Sequence, residues 1–244
     1  MKQSEAVIVV RDLVKKFGHF IANDHLNFDV YKGEVFGFLG ANGAGKTTAI
    51  RILCGLSSPT SGKITVAGYD AFTETEKIKK SIGYMSQKFS LYEDLTVYEN
   101  IRLYGGIYGL SRKEIRERSA ELLEQLSLTG VRDTLIRALP LGWRQKLAFS
   151  VAILHRPEIV FLDEPTGGVD PITRRQFWEM IYDTAHQGIT VFVTTHYMDE
   201  AEYCDRVSIM TEGKIMALDT PSNLKQQFEV NTINDVFLKL ARNV

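Results

Sequence analysis

Residues 35–48 read Val35-Phe36-Gly37-Phe38-Leu39-Gly40-Ala41-Asn42-Gly43-Ala44-Gly45-Lys46-Thr47-Thr48. The first five form a near-continuous apolar run, as in a strand covered on both faces. Gly40 to Thr47 fits the phosphate-loop pattern of a glycine, four free positions, then glycine-lysine-serine or threonine. A helix is expected from about Lys46 to Cys54, closed by Gly55. The chemistry explains the pattern. A triphosphate carries several negative charges, so its cradle needs many donors and little bulk. Glycines let the backbone curl until its N–H groups point inward. The following helix adds the positive end of its dipole. On this reading Gly40, Ala41, Asn42, Gly43, Ala44 and Gly45 form the cradle. Lys46 reaches the β- and γ-phosphates, Thr47 offers its hydroxyl to Mg²⁺, and Thr48 bonds the α-phosphate.

Outward from this stretch, strands and helices alternate, which implies an α/β fold with a mainly parallel sheet. Residues 6–39 read as strands, and Leu26, Phe28 and Val30 alternate with polar residues as in a half-buried antiparallel strand. Residues 63–67 and 82–86 look like further short strands. From about Phe89 to Arg156 the pattern turns helical. Thr96 with Glu99 and Ser111 with Glu114 fit capping boxes. Ile115, Leu122, Leu123 and Leu126 share one helical face. A third helix is expected from Pro140 to His155. Strands return at 159–162 and 190–194, with a helix between them that Asp170-Pro171 starts and Gly188 ends. Residues 206–218 suggest a hairpin around Glu212-Gly213, and 232–242 a last helix striped by Ile233, Val236, Phe237 and Leu240. The expected division is a nucleotide-binding core with a β-subdomain (1–88 and 156–230), an inserted helical subdomain (89–155) and a C-terminal helix (231–244).

The apolar strand Ile159-Val160-Phe161-Leu162 ends in Asp163-Glu164, where α/β sheets bind ligands. Asp163 is the expected Mg²⁺ ligand, acting through the ion's water shell, and Glu164 the general base for an attacking water. His196 comes just after another strand and is expected to contact the γ-phosphate. Gln87 ends a third, placed to bind Mg²⁺ or the water.

Composition sets limits. The 244 residues are 44% hydrophobic and 24% charged, an ordinary globular balance, with a formal net charge of −1. A basic footprint for nucleic acid is absent. The two cysteines, Cys54 and Cys204, have no metal or redox spacing and suit free thiols in a reducing compartment. No apolar run reaches the ~18 residues of a spanning helix, and the start MKQSEAVIVVRDL lacks the apolar core of a secretory signal. A role in transport therefore requires a membrane pathway in other chains.

The whole chain resembles the nucleotide-binding domain of ABC transporters. Its motifs come in that family's order: Phe17, the loop 40–47, Gln87, a signature region at 139–145, Asp163-Glu164, Asp170 and His196. The resemblance implies a P-loop ATPase with ATP and Mg²⁺ as cofactors. It implies that Phe17 stacks on adenine, although an apolar residue before a Gly18 turn reads nearly as well. It implies that 167–170 crosses an interface between two such domains, and that each ATP is held by one phosphate loop and by the other domain's signature, here Gly142 in trans. ATP binding closes that homo- or heterodimer and hydrolysis to ADP opens it, rocking a separate multispanning permease. The expected location is cytoplasmic, peripheral on the inner face of the cell membrane.

The signature departs from the family's leucine-serine-glycine-glycine-glutamine, reading Leu139-Pro140-Leu141-Gly142-Trp143. Pro140 removes a hydroxyl whose bond to phosphate would contribute about 1.5–3 kcal/mol, yet suits a helix start. An altered but working contact is expected, because Glu164 and His196 are both present. Residues 195–202, the ending Asp235-Val236-Phe237-Leu238 and this variant signature resemble ATPases of drug-efflux systems. A soluble ABC ATPase on ribosomes or DNA, a regulatory nucleotide sensor without hydrolysis (against which Glu164 argues) and an importer's motor are the alternatives. Tyr92, Leu95, Tyr98, Ile101, Tyr104 and Tyr108 either line a groove for the permease around 88–110 or pack inside the helical subdomain.

Overall fold

The computed structural model describes residues 5–87 and 91–242. It contains two sheets. The first is antiparallel, in the order β2-β1-β4-β5, from β1 (Ala6–Phe17), β2 (Phe20–Tyr31), β4 (Ser61–Val66) and β5 (Tyr69–Asp70). The second has the order β10-β9-β3-β8-β7-β6. Its strands β3 (Val35–Gly40), β6 (Ile82–Met85), β7 (Ile159–Asp163), β8 (Thr190–Thr195) and β9 (Arg206–Thr211) run parallel, and β10 (Lys214–Asp219) is an antiparallel edge.

Both faces of the second sheet are covered, which is why β3, β7 and β8 are buried at every position. On the face toward the first sheet, Phe28, Phe38, Phe161 and Phe192 pack ring against ring, with Phe192 at 5.3 Å from both Phe38 and Phe161. The helix α1 (Lys46–Leu53) adds Ala49, Ile50, Ile52 and Leu53 to that core. On the other face Val160, Leu162, Val191 and Val193 meet Phe149, Phe177 and Ile181. Fully burying each such side chain contributes about 1.5–3 kcal/mol.

Between β6 and β7 lie α3 (Val97–Ile107), α4 (Arg112–Gln125) and α5 (Leu141–Ala152). Both expected capping boxes are present, Thr96 with Glu99 and Ser111 with Glu114. Two sites tie this block to the sheet. Gly83 has no side chain because a Cβ would collide with the Ala152 carbonyl. His155 bonds the Ile82 carbonyl at 3.1 Å and stacks on Tyr108 at 3.8 Å. Of the aromatic set around 88–110, Ile101 is buried and Tyr108 packs on His155, whereas Tyr92 is 55% exposed. Lys88 to Ser90, with the expected boundary at Phe89, lie outside the described residues.

Burial holds the His155 imidazole neutral, with its pKa lowered to about 4. In the unfolded chain it protonates near 6.5. The unfolded state therefore binds the extra proton, and His155's contribution to stability is lost as pH falls from about 6.5 toward 4. Melting temperatures measured between pH 7.5 and 5 should fall less steeply in His155→Phe, which keeps the ring stack on Tyr108. Equal slopes would contradict the assignment.

The remaining helices are α2 (Thr75–Ser81), α6 (Pro171–His186), α7 (Pro221–Gln227) and α8 (Ile233–Arg242). Neither α2 nor α7 is expected from the apolar pattern, because each spans seven residues and buries little beyond Ile78 or Leu224. The helix expected from Pro140 runs instead from Leu141, with Pro140 as its extended cap at φ −57, ψ 150. Asp170 caps α6 with Pro171 at its first turn. Among the described residues, no helix is long and apolar enough to cross a membrane.

Candidate nucleotide site

The parallel sheet sets β3, β8, β7 and β6 side by side, so the residues at and just past their C-terminal ends meet at one edge. Those residues are the loop after Gly40, His196, Asp163-Glu164 and Gln87. A cleft of about 400 Å³ opens there, lined by Phe20, Ala22, Asn42, Gly43, Gly45, Lys46, Thr47, Thr48, Gln87 and Glu164.

The loop's shape requires glycine at Gly45. Its φ is 102, and a Cβ would run into the Ala22 carbonyl. The loop is held from outside by Asn23 Nδ2, which donates to the Gly45 carbonyl at 3.1 Å, and by Gly213 N–H, which donates to the Ala44 carbonyl at 3.0 Å. No side chain caps the start of α1, and Lys46, Thr47 and Thr48 of its first turn line the cleft, so their N–H groups are placed to receive an anion there. Lys46 is 4% exposed and folds over its own loop. Its Nζ donates to the carbonyls of Gly40 (2.8 Å) and Ala41 (3.2 Å) and lies 3.4 Å from Glu164 Oε1. Burial lowers the Lys46 pKa, opposed by the charges of Glu164 and Asp163.

Glu164 is the hub of the opposite wall. Gln87 Nε2 donates to its Oε2 at 2.8 Å, and His196 Nδ1 lies 3.0 Å from the same oxygen. Its backbone sits at φ 51, a left-handed conformation unusual for a side-chain-bearing residue. The Glu164 N–H, shared between the Thr194 carbonyl and hydroxyl at 3.1 Å each, holds it there.

Asp163 pairs with Thr194 in the β7–β8 register, and Thr194 Oγ1 donates to its Oδ1 at 2.7 Å. Thr47 Oγ1 is 3.5 Å from the same oxygen. Asp163 Oδ2 is buried with no hydrogen-bond partner, and burial raises the carboxyl's pKa. An unpartnered buried carboxylate oxygen beside a threonine hydroxyl fits a hard divalent cation. Among the described residues no group of three or more His, Cys, Asp or Glu could hold a metal alone. Asp163 and Thr47 fit Mg²⁺, which binds through one or two carboxylates and otherwise takes phosphate and water.

The remaining expected residues lie apart from this cluster. Phe17 is 54% exposed at the β1–β2 hairpin, opposite Phe20, with Lys15 Nζ 4.8 Å from its ring. Phe20 lines the cleft; Phe17 is not among the lining residues. The Asp170 carboxylate accepts from Ile172 N, Thr173 N and Thr173 Oγ1, and so is engaged in capping α6. Gly142 brings α5 against α6: a Cβ there would come within 2.6 Å of Thr173 Cγ2. Sequence reading misses Phe20 and Asn23. The strand alternation that marks Leu26 to Val30 breaks at His25, whose φ of 55 turns the buried Asn23 inward out of phase.

Residues 23–167 match the family described as ABC transporter. The chain is 49% identical over 223 residues to the probable multidrug ABC transporter ATP-binding protein YbhF of Escherichia coli (strain K12), covering 91% of this chain but 39% of that protein. It is 36% identical over 247 residues to the linearmycin resistance ATP-binding protein LnrL of Bacillus subtilis (strain 168), covering 98% and 79%. Its fold is similar to the dimeric structure of the ATP-binding cassette MJ0796 in a post-hydrolysis state bound to ADP and Pi. That match has a TM-score of 0.79, 26% identity, and coverage of 87% of this chain and 98% of that one. With the family match spanning more than half of the sequence, and with strand ends furnished as nucleotide chemistry demands, this chain belongs to the ABC transporter family as one of its ATPase cassettes.

Proposed function

We infer that the chain binds Mg·ATP in the cleft beside Lys46 and hydrolyses it as one half of a cassette dimer. The dimer drives a separate multispanning permease from the cytoplasmic face of the membrane, exporting a drug-like or hydrophobic substrate. The observation that carries the reading is Glu164, held by Gln87 and His196 with its other oxygen 3.4 Å from Lys46 Nζ. The names of YbhF and LnrL support the efflux role, and the dimer of MJ0796 supports the paired arrangement.

In the mechanism, backbone N–H groups of the loop and α1 hold the phosphates. Lys46 leaves the Gly40 and Ala41 carbonyls for the β- and γ-phosphates. Thr47 and Asp163, with Gln87, would hold Mg²⁺, which would supply charge neutralisation at the phosphoryl group. Glu164 accepts a proton from the attacking water, while Gln87 and His196 fix its direction. Phe17 and Phe20 offer ring faces to the base. Gly142 and the uncapped first turn of α5 meet the partner cassette's phosphate, and 167–170 crosses between the two copies.

Isolation of the tagged chain from membranes tests the coupling. A multispanning permease should co-purify, and phosphate release by the complex should exceed that of the Glu164→Gln complex. A complex whose phosphate release matches that variant's would overturn the reading.

A further inference from the structure

Glu200 is fully buried in the segment after His196, four residues beyond it. A carboxylate is seldom placed in a protein interior without a partner that uses it. Its Oε1 accepts from Thr166 Oγ1 at 2.5 Å, and Arg174 Nε lies 3.6 Å from that oxygen. Thr166 is itself buried, two residues after Glu164. The Arg174 guanidinium lies 4.3 Å over the Tyr197 ring, and that ring lies 4.1 Å from His196. The circuit closes where His196 meets Glu164. Next to Thr166, the Gly167 carbonyl accepts from the buried Gln145 Nε2 of α5 at 3.0 Å.

We propose that the buried Glu200 and Thr166, with the half-buried Arg174, form a strut that fixes His196 against the loop 166–170, so that the two move as one unit. None of the three borders the cleft, so they are positioning residues. Their role is to keep His196 and Glu164 aligned on one reacting phosphate and to pass any shift of His196 to the 166–170 loop and, through Gln145, to α5. The bond between Thr166 and Glu200 is the joint, because it ties the segment after β7 to the segment after His196 through two buried side chains. This role rests on the ATPase reading of the cleft.

The test is steady-state ATP turnover by the full chain in four forms: wild type, Thr166→Val, Thr166→Ser and Glu200→Gln, with Glu164→Gln as the inactive reference. Thr166→Val removes the hydroxyl and keeps the shape. It and Glu200→Gln are expected to lower kcat by on the order of tenfold to a hundredfold, with KM for ATP within roughly threefold of wild type. Thr166→Ser, which restores the hydroxyl, should recover kcat. A residue that only held the fold together would instead lower the melting temperature and would not split kcat from KM. If Glu200→Gln fails to fold, the Thr166 pair decides. Wild-type kcat in folded Thr166→Val, or a serine variant as slow as the valine variant, overturns the strut. A wild type no faster than Glu164→Gln overturns the ATPase reading, and the strut with it; an active wild type with fully active Thr166→Val overturns the strut alone.

Discussion

Glutamine in place of Glu164 should lower kcat for ATP by about 10²–10⁴-fold, the contribution of a positioned general base, while Mg·ATP still binds. The substitution keeps shape and removes basicity. An amide oxygen can still accept from Gln87 Nε2, which now donates to Glu164 Oε2 at 2.8 Å. The strained backbone at φ 51 is held by Thr194 and not by the side chain, so the turn persists. The phosphate loop is untouched. ATP should therefore accumulate uncleaved, and the chain should shift toward a dimer in size-exclusion chromatography with Mg·ATP. Single-turnover phosphate release measures the loss. A kcat within threefold of wild type would remove Glu164 from the chemistry.

Alanine in place of Lys46 should weaken Mg·ATP binding by roughly 10²-fold. Each hydrogen bond from a charged donor is worth about 1.5–3 kcal/mol, and an ammonium reaching two phosphate groups makes at least two. The gross gain is reduced because Lys46 gives up the carbonyls of Gly40 and Ala41 and its contact with Glu164 to make them. Arginine should not rescue the loss. The ammonium sits 4% exposed within a tightly curled loop, and a planar guanidinium fork has neither the compactness nor the free rotation that the position uses. Titration with a fluorescent ATP analogue reads the affinity. An unchanged Kd in Lys46→Ala would separate the loop from the nucleotide.

The parts of this site readable from sequence were those whose chemistry is local. A glycine-rich turn between a buried strand and a helix declares itself at Gly40 to Thr47. An apolar strand ending in two acids does so at Asp163-Glu164. The sheet order then brings Gln87, Glu164 and His196 together, in keeping with the alternation of strands and helices. The features that stayed hidden depend on irregular backbone or on long-range partners. Asn23 supports the loop from a strand whose alternation breaks at His25. Phe20 reaches the cleft while its hairpin neighbour Phe17 carries Lys15 against its ring. Nothing in Asp199-Glu200-Ala201-Glu202 marks out Glu200, which the fold buries against Thr166. The helices α2 and α7 escaped because seven-residue helices with one or two buried residues leave no periodic stripe.

Pro140 illustrates a signal read correctly in kind and displaced by one position. Proline was expected inside the first turn of α5 and instead caps it, leaving Leu141 and Gly142 as the first helical residues. The segment that would face a partner's phosphate is thus a helix start with no side-chain cap, in place of one bearing a serine hydroxyl.

The most direct measurement of the central claim is calorimetric titration of the purified full chain with Mg·ATP, repeated in the presence of excess AMP. Recognition of the terminal phosphates by the loop at Gly40–Thr47 predicts one Mg·ATP bound per chain and no competition by AMP. No binding of Mg·ATP, or equal competition by AMP, would contradict it.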